Sequence, residues 1–307
     1  MREAVIVSTA RTPIGKAFKG AFNDTQAQTL AGHAISEAVK RSGVAKEEID
    51  DVVLGAASQQ GTQQGNIARQ ALLRAGLPVS VAGMSLDRQC ASGMMAIATA
   101  AKEIIDDGMK ITVGGGVESV SLTRNEHFRT DRARDPWFET YLPTLYMTMI
   151  ETAENVAQRY GISREAQDEY SYQSQMRTAN AQGAGLLDTE IVPLKSQMKI
   201  KDKETGKILT KEVNLKNDEG NRTNTTLDGL SSLKPVFKDG IYLKKGNYIT
   251  AGNASQLSDG ASACVLMEAT EVEKRGLQPL GIYRGISVAG CEPDEMGIGP
   301  VFAVPKL

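Results

Sequence analysis

The chain has 307 residues, a formal charge of −2 and a pI of about 5.9, with 41% hydrophobic and 23% charged residues. That length allows one large or two medium domains with real cores. The near-neutral charge argues against a nucleic-acid-binding surface spread over the molecule, and no apolar run reaches the roughly 18 to 20 residues that a bilayer crossing needs.

The first 120 residues alternate strand-like and helix-like patterns. "AVIVST" reads as a buried strand, and the N-terminus enters it with no leader pattern, so cytoplasmic residence and no membrane partner are expected. "TQAQTLAGHAISEAVKRSG" places Leu30, Ala34, Ala38 and Val39 on one helical face and stops at Gly43. A second strand, "IDDVVLGAA", a second helix ended by Gly76, a third strand, "VAGMSL", a helix from near Ser92 and a fourth strand, "MKITVGGGVES", follow. Strands separated by helices imply parallel crossovers and a layered α/β sheet with functional loops at strand C-termini.

Around residue 119 the pattern changes. Residues 121 to 146 show no clear period, and two helices, "MIETAENVAQRYG" and "REAQDEYSYQSQMRTANAQGAG", come next. Residues 191 to 245 carry twelve Lys and Arg against seven Asp and Glu, and "KIKDKETGKILTKEV" reads as a hairpin turning at Glu204 to Gly206. Residues 120–246 therefore read as an insertion hung from a sheet domain made of 1–119 and 247–270. Sheet grammar returns in "SACVLM" and "QPLGIYRGISVAG", and "GPVFAVPKL" opens a helix with Pro300 in its first turn.

Three cysteines, at 90, 264 and 291, form neither a CxxC pair nor a disulfide framework, which fits a reducing compartment. In "SLDRQCASGMMAIATAAKEI", Cys90 stands where the third strand gives way to a helix. A thiol reacts as its thiolate, and the N–H groups and dipole at a helix N-terminus favour that anion. Ala91, Ser92 and Gly93 leave room for a bulky acyl group. The same pattern also suits a buried inert thiol, and the residues alone leave both readings open. "VGGGVES" lacks the lysine and spaced acid of a nucleotide loop, so close packing at a strand end is the better account. No metal-ligand spacing occurs, and the basic insertion lacks the aromatic pattern of an RNA surface.

"STARTPIGKAFKGAF", "QGNIARQALLRAGLP", "DRQCASGMMAI", "VGGGVESVS", "TAENVA", "REAQDEYSYQSQ" and "TAGNASQLSDGASACVLM" occur in an order that resembles the thiolase family, the 3-ketoacyl-CoA thiolases and acetyl-CoA acetyltransferases. The resemblance covers essentially the whole chain. It implies a thiolase-like layered α/β fold, with 120–246 as a loop domain that covers the active site and binds coenzyme A, and 271–307 as the start of a C-terminal domain. It also implies that Cys90 takes up the acyl group as a thioester, that Arg222 in "NRTNTTLDGL" contacts the CoA nucleotide, that Ser255 lies near the pantetheine chain, and that Met149 borders the acyl pocket. CoA and acyl-CoA are then substrates, no cofactor is tightly bound, and a homodimer or homotetramer is expected.

Two departures lean away from short acetoacetyl substrates. Thr148 stands where such thiolases often carry histidine, and Ile150 replaces a glycine after Met149. The family's Gly-His-Pro and Cys-x-Gly-Gly-Gly segments, which supply the base for the nucleophile and the second cysteine, do not occur, nor does its Asn-Glu-Ala-Phe segment. His33, on a helix, and His127, at the entry to the insertion, match neither motif; Cys264 reads as core and Cys291 as structural. The expectation is a chain lacking most of the C-terminal half, paired with or continued by the rest, with a reactive Cys90 but little turnover by itself. A ketoacyl-synthase-type condensing enzyme and a non-catalytic CoA- or lipid-binding scaffold are the alternatives.

Overall fold

The computed structural model describes residues 2–307. In chain order its elements are β1 (Ala4–Arg11), β2 (Gly15–Lys16), α1 (Ala27–Ser42), β3 (Asp51–Gly55), α2 (Ile67–Arg74), β4 (Ala82–Leu86), α3 (Ser92–Ile105), β5 (Ile111–Ser119) and α4 (Val120–Thr123). There follow α5 (Pro136–Tyr141), α6 (Met149–Arg159), α7 (Arg164–Gly183), β6 (Leu194–Lys201), β7 (Ile208–Leu215), α8 (Leu227–Ser231), β8 (Ser258–Glu268), α9 (Ala269–Arg275), β9 (Gly281–Ile282) and α10 (Gly299–Ala303). The chain folds as two units. One holds the chain up to Phe128 with Leu187–Gly220 and Gln256–Gly285; the other holds Arg129–Leu186, Asn221–Ser255 and Ile286–Leu307.

The first unit is built on a seven-stranded sheet in the order β4-β3-β5-β8-β1-β9, with β2 added against β8. β3 pairs in parallel with β4 and β5, whereas β8 runs antiparallel between β5 and β1. The expected parallel crossovers are therefore present, and the strand that returns after a long excursion of the chain enters the middle of the sheet in the opposite sense. Alternation along β8 sends Ala261, Ala263, Val265 and Met267 into the core shared with α1 and α2, and Cys264 and Leu266 into the core shared with α3. Each large aliphatic side chain fully buried here, such as Leu30, Ile35, Leu72 or Ile104, contributes about 1.5–3 kcal/mol. The first helix ends where its glycine predicts: Gly43 lies at φ 69° and its N–H bonds Lys40 O.

The expected insertion at 120–246 is divided by the structure. The predicted hairpin forms as β6 and β7, with Gly206 at φ 69° in its turn, but it belongs to the sheet unit. Leu194 at its base is buried in the α1/α2 core, Ser196 Oγ lies 2.5 Å from Thr25 Oγ1, and Asn23 brackets Lys199 by accepting its N–H and donating to its carbonyl. Asp218 and Glu190 further tie Arg11 by ion pairs of 2.7 Å each. A polar hairpin's sequence fixes its own register but not the neighbour it packs on. Residues up to Ser255 stay with the second unit, and the stretch through Gly285 stays with the sheet. "QPLGIYRGISVAG" yields only the two residues of β9.

The second unit has few buried apolar side chains, among them Ala157, Leu230 and Phe237. Three of its acids are buried: Glu151 and Glu154 are each 1% exposed and Asp168 is 4% exposed. Buried carboxylates need partners, and here they are found chiefly in backbone N–H groups.

Candidate functional site

Cys90 is exposed, two residues ahead of α3. Its loop is held by short polar bonds: Asp87 Oδ1 accepts the Gln89 N–H at 2.6 Å, while Ser92 Oγ accepts the Arg88 N–H at 2.8 Å and donates to Gln89 O at 2.5 Å. Gln89 has φ 47°, a left-handed conformation that a non-glycine adopts at a cost of about 1–3 kcal/mol. This strained residue turns the chain immediately before the thiol. The helix itself sits close to the sheet because of glycines. A Cβ on Gly55 would fall inside the backbone of Ser92, one on Gly114 would lie 2.7 Å from Ile97 Cα, and one on Gly116 would lie 3.0 Å from Gly93 Cα. Gly114 and Gly116 of the "GGG" run thus form a packing surface for α3, while Gly115 lies against the backbone of β8 at Ser262 and Ala263.

The other two cysteines have other surroundings. Cys264 is buried in β8, its Sγ donating to Gly114 O at 3.4 Å, and burial pushes its thiol up to about 12. Cys291 is half-buried, with Sγ 3.9 Å from the carbonyls of Glu295 and Met296. His33 lies in α1 with Nε2 buried and unpartnered, and His127 is exposed beside Glu126. Among the described residues no hydrogen bond joins Cys90 to either imidazole.

Met149, Arg222 and Ser255 all belong to the second unit, and Cys90 belongs to the first. Met149 opens α6, whose N-cap is Thr148: its Oγ1 accepts the Glu151 N–H at 3.3 Å. The residue at the position where short-chain thiolases often carry histidine therefore has a structural job. Met149 lines an apolar cavity of about 280 Å³ together with Val156, Ile162, Ile249 and Met296. Arg222 is exposed and its guanidinium enters no ion pair among the described residues, while its backbone N–H donates to Gln175 Oε1 at 2.8 Å. Ser255 is exposed and follows Asn253, whose side chain accepts the Thr250 N–H at 2.8 Å and donates to Asp168 Oδ1 at 3.1 Å and Tyr248 O at 2.9 Å.

Several residues that shape this unit are not evident from sequence reasoning. Asp168 also accepts two bonds from Arg164 Nε, at 3.0 and 2.9 Å, and Arg164 donates to the carbonyls of Leu230 and Leu233. Glu151 Oε1 and Oε2 accept the N–H groups of Ile241, Tyr242 and Leu243 at 2.7–3.1 Å. Glu154 does the same for Asn247, Tyr248 and Ile249 at 2.7–3.1 Å. The i, i+3 spacing of the two glutamates puts them on one face of α6, which is the only signal the sequence carries. Met296 comes to the cavity on a 3₁₀ helix, Pro293–Ile298, a placement that the sequence does not signal.

Residues 4–270 match the thiolase N-terminal domain profile. The 3-ketoacyl-CoA thiolase of Bacillus subtilis is 39% identical over 100% of this chain and 76% of its own length. The acetyl-CoA acetyltransferase of Chromobacterium violaceum is 39% identical over 99% of this chain and 76% of its own length. Among solved structures, the acetyl-CoA acetyltransferase of Bacillus anthracis superposes with a TM-score of 0.82 at 38% identity, covering 100% of this chain and 75% of that one. The strand-to-helix cysteine, the layered mixed sheet and the matching profile agree: this chain belongs to the thiolase family.

Proposed function

We propose that the chain works in acyl transfer between 3-ketoacyl-CoA and CoA through a thioester on Cys90, in the thiolytic or condensing direction. The Cys90 thiolate attacks the 3-keto carbon. The C2–C3 bond then breaks, its electron pair leaving with the acetyl-CoA fragment, which takes up a proton. CoA attacks the thioester carbonyl and restores the Cys90 sulfur. Passing through a thioester divides one difficult step into two easier ones. In this chain the turn at Asp87–Ser92 presents the sulfur, the Met149 cavity suits an aliphatic acyl chain, and the exposed Arg222 guanidinium suits a nucleotide phosphate or adenine face. The condensing-synthase and scaffold readings gain no support from relatives named as thiolases and acetyltransferases. A cytoplasmic homo-oligomer accompanies the proposal. The edge strand β4, with Ala82 and Met84 exposed, offers unpaired backbone of the kind that joins copies.

The observation that carries the reading is the contrast between an exposed Cys90 on a strained turn and a buried Cys264 whose thiol is raised to about 12. Iodoacetamide labelling followed by peptide mapping tests it. Cys90 is expected to react before Cys264 and Cys291, and CoA is expected to slow that reaction. Equal labelling of all three, or labelling of Cys90 indifferent to CoA, overturns the proposal.

A further inference from the structure

Residues 232–257 contain no helix or strand, and a stretch that long without regular structure inside a compact unit is uncommon unless it is functional. Ser255 lies in it, and it begins shortly after Arg222. Internal backbone bonds, such as Val236 N–H to Ile249 O and Gly246 N–H to Phe237 O at 2.9 Å each, close it on itself, and two carboxylates hold it to α6. Glu151 gathers the amides of residues 241–243 and Glu154 those of 247–249. Neither glutamate is in an ion pair among the described residues, so ordered backbone dipoles offset each buried charge. The loop approaches closely enough that a Cβ on Gly246 would lie 2.5 Å from Glu154 Oε1, and one on Gly240 would overlap the Glu151 carboxylate.

The same helix lines the apolar cavity. Met149, Thr152, Ala153 and Val156 of α6 face it, and Ile249, whose N–H donates to Glu154 Oε1 at 2.7 Å, supplies part of the opposite wall. One carboxylate therefore fixes both a cavity wall and the approach to Ser255. We propose that Glu151 and Glu154 are positioning residues that clamp the 237–255 loop to α6, so that CoA affinity and the acyl cavity depend on them although neither touches substrate. This rests on the acyl-transfer reading above.

The test is calorimetric titration of the full chain with CoA, with hydrogen exchange at residues 241–249 and iodoacetamide labelling of Cys90 measured on the same samples. Glu154→Gln replaces one acceptor oxygen by a donor that faces N–H groups, and is expected to weaken CoA binding by about tenfold or more, accelerate exchange at 247–249, and leave the CoA-free labelling rate of Cys90 unchanged. Gly246→Ala keeps the charge but intrudes on the carboxylate, and should give the same pattern; it serves if Glu154→Gln does not fold. Absence of CoA binding by the unsubstituted chain overturns the acyl-transfer reading and the clamp's role with it. Full CoA affinity in the folded variants, or unaltered exchange at 247–249, overturns the clamp alone. A fall in Cys90 labelling that parallels the loss of CoA binding also counts against it, as general destabilisation would produce that result.

Discussion

The two units place their functional residues by different balances of packing and polar bonding. In the sheet unit, packing sets the helix: glycines at 55, 114 and 116 let α3 lie against β3 and β5, and the polar turn at Asp87–Ser92 at its start then presents Cys90. In the second unit, Arg222 and Ser255 sit on irregular chain held by side chains that bond backbone, namely Gln175, Glu151, Glu154 and Asn253, the last also bonded to Asp168. Apolar packing tolerates change in any one contact as long as volume is kept. Polar fixation concentrates the energy in a few buried groups, each costly to leave unpaired. The difference implies separate sensitivities, and the molecule carries a probe for each unit. Trp137, the single tryptophan, stands in the second unit with its ring 5.1 Å from those of Phe138 and Tyr141, and Cys264 is buried in the first.

The largest expected effect is in the polar unit. Asp168→Ala leaves Arg164, 17% exposed in its side chain, and the Asn253 amide without their shared acceptor. Removing one partner of a buried pair costs about 3–5 kcal/mol. The urea midpoint followed by Trp137 fluorescence should fall accordingly, while the midpoint followed by Cys264 thiol exposure should move less. Equal shifts in both probes would show that the units unfold as one and would break the comparison. Gly55→Ala should act the other way. The new methyl must push back the start of α3, an overpacking cost of about 1–3 kcal/mol. It should lower the Cys264 midpoint and change the labelling rate of Cys90, with CoA affinity retained.

Much of the packed unit was legible because apolar periodicity is what builds it. α1, α2, α3 and the core strands follow patterns such as Leu30, Ala34 and Ala38, and Gly43 and Gly76 mark ends that a left-handed glycine makes. α5 could have been read too: Asp135 caps it by accepting the Trp137 N–H at 2.9 Å, and Pro136 sits in its first turn, a start signal visible in "RDPWF". The antiparallel entry of β8 was not legible, since alternation in "SACVLM" specifies two faces but not a direction. Nor was the split of the insertion, which turns on Asn23 and Thr25 meeting a hairpin about 170 residues later. In the candidate site, Cys90 stood out by its place between strand and helix, and Arg222, Ser255 and Met149 came only from family resemblance. The glutamates of "IETAEN" look like any solvated helix face until the amides they hold are placed beside them.

The smallest of these effects concerns a buried acid in the packed unit. Glu103, in the last turn of α3, is 8% exposed, with Oε2 buried and unpartnered. Burial, then the nearby charges of Asp51 and Asp107, push its carboxyl up from 4.5 to about 7. Asp51 is itself raised, first by burial and further by the charge of Asp50. An acid whose folded value is raised binds more protons folded than unfolded between the two values. Its contribution is therefore fully favourable below about 4.5 and is lost as pH rises through about 7. Glu103→Gln keeps the shape and removes the charge. It should stabilise the sheet unit by about 1–2 kcal/mol at pH 8, after allowance for solvent screening, and make no difference well below pH 4.5. Urea midpoints read from Cys264 exposure across that range would show the curves of the two proteins converging in acid. Parallel curves would mean that Glu103 is ionised and solvated throughout, and that the packed unit carries no titrating strain beneath α3.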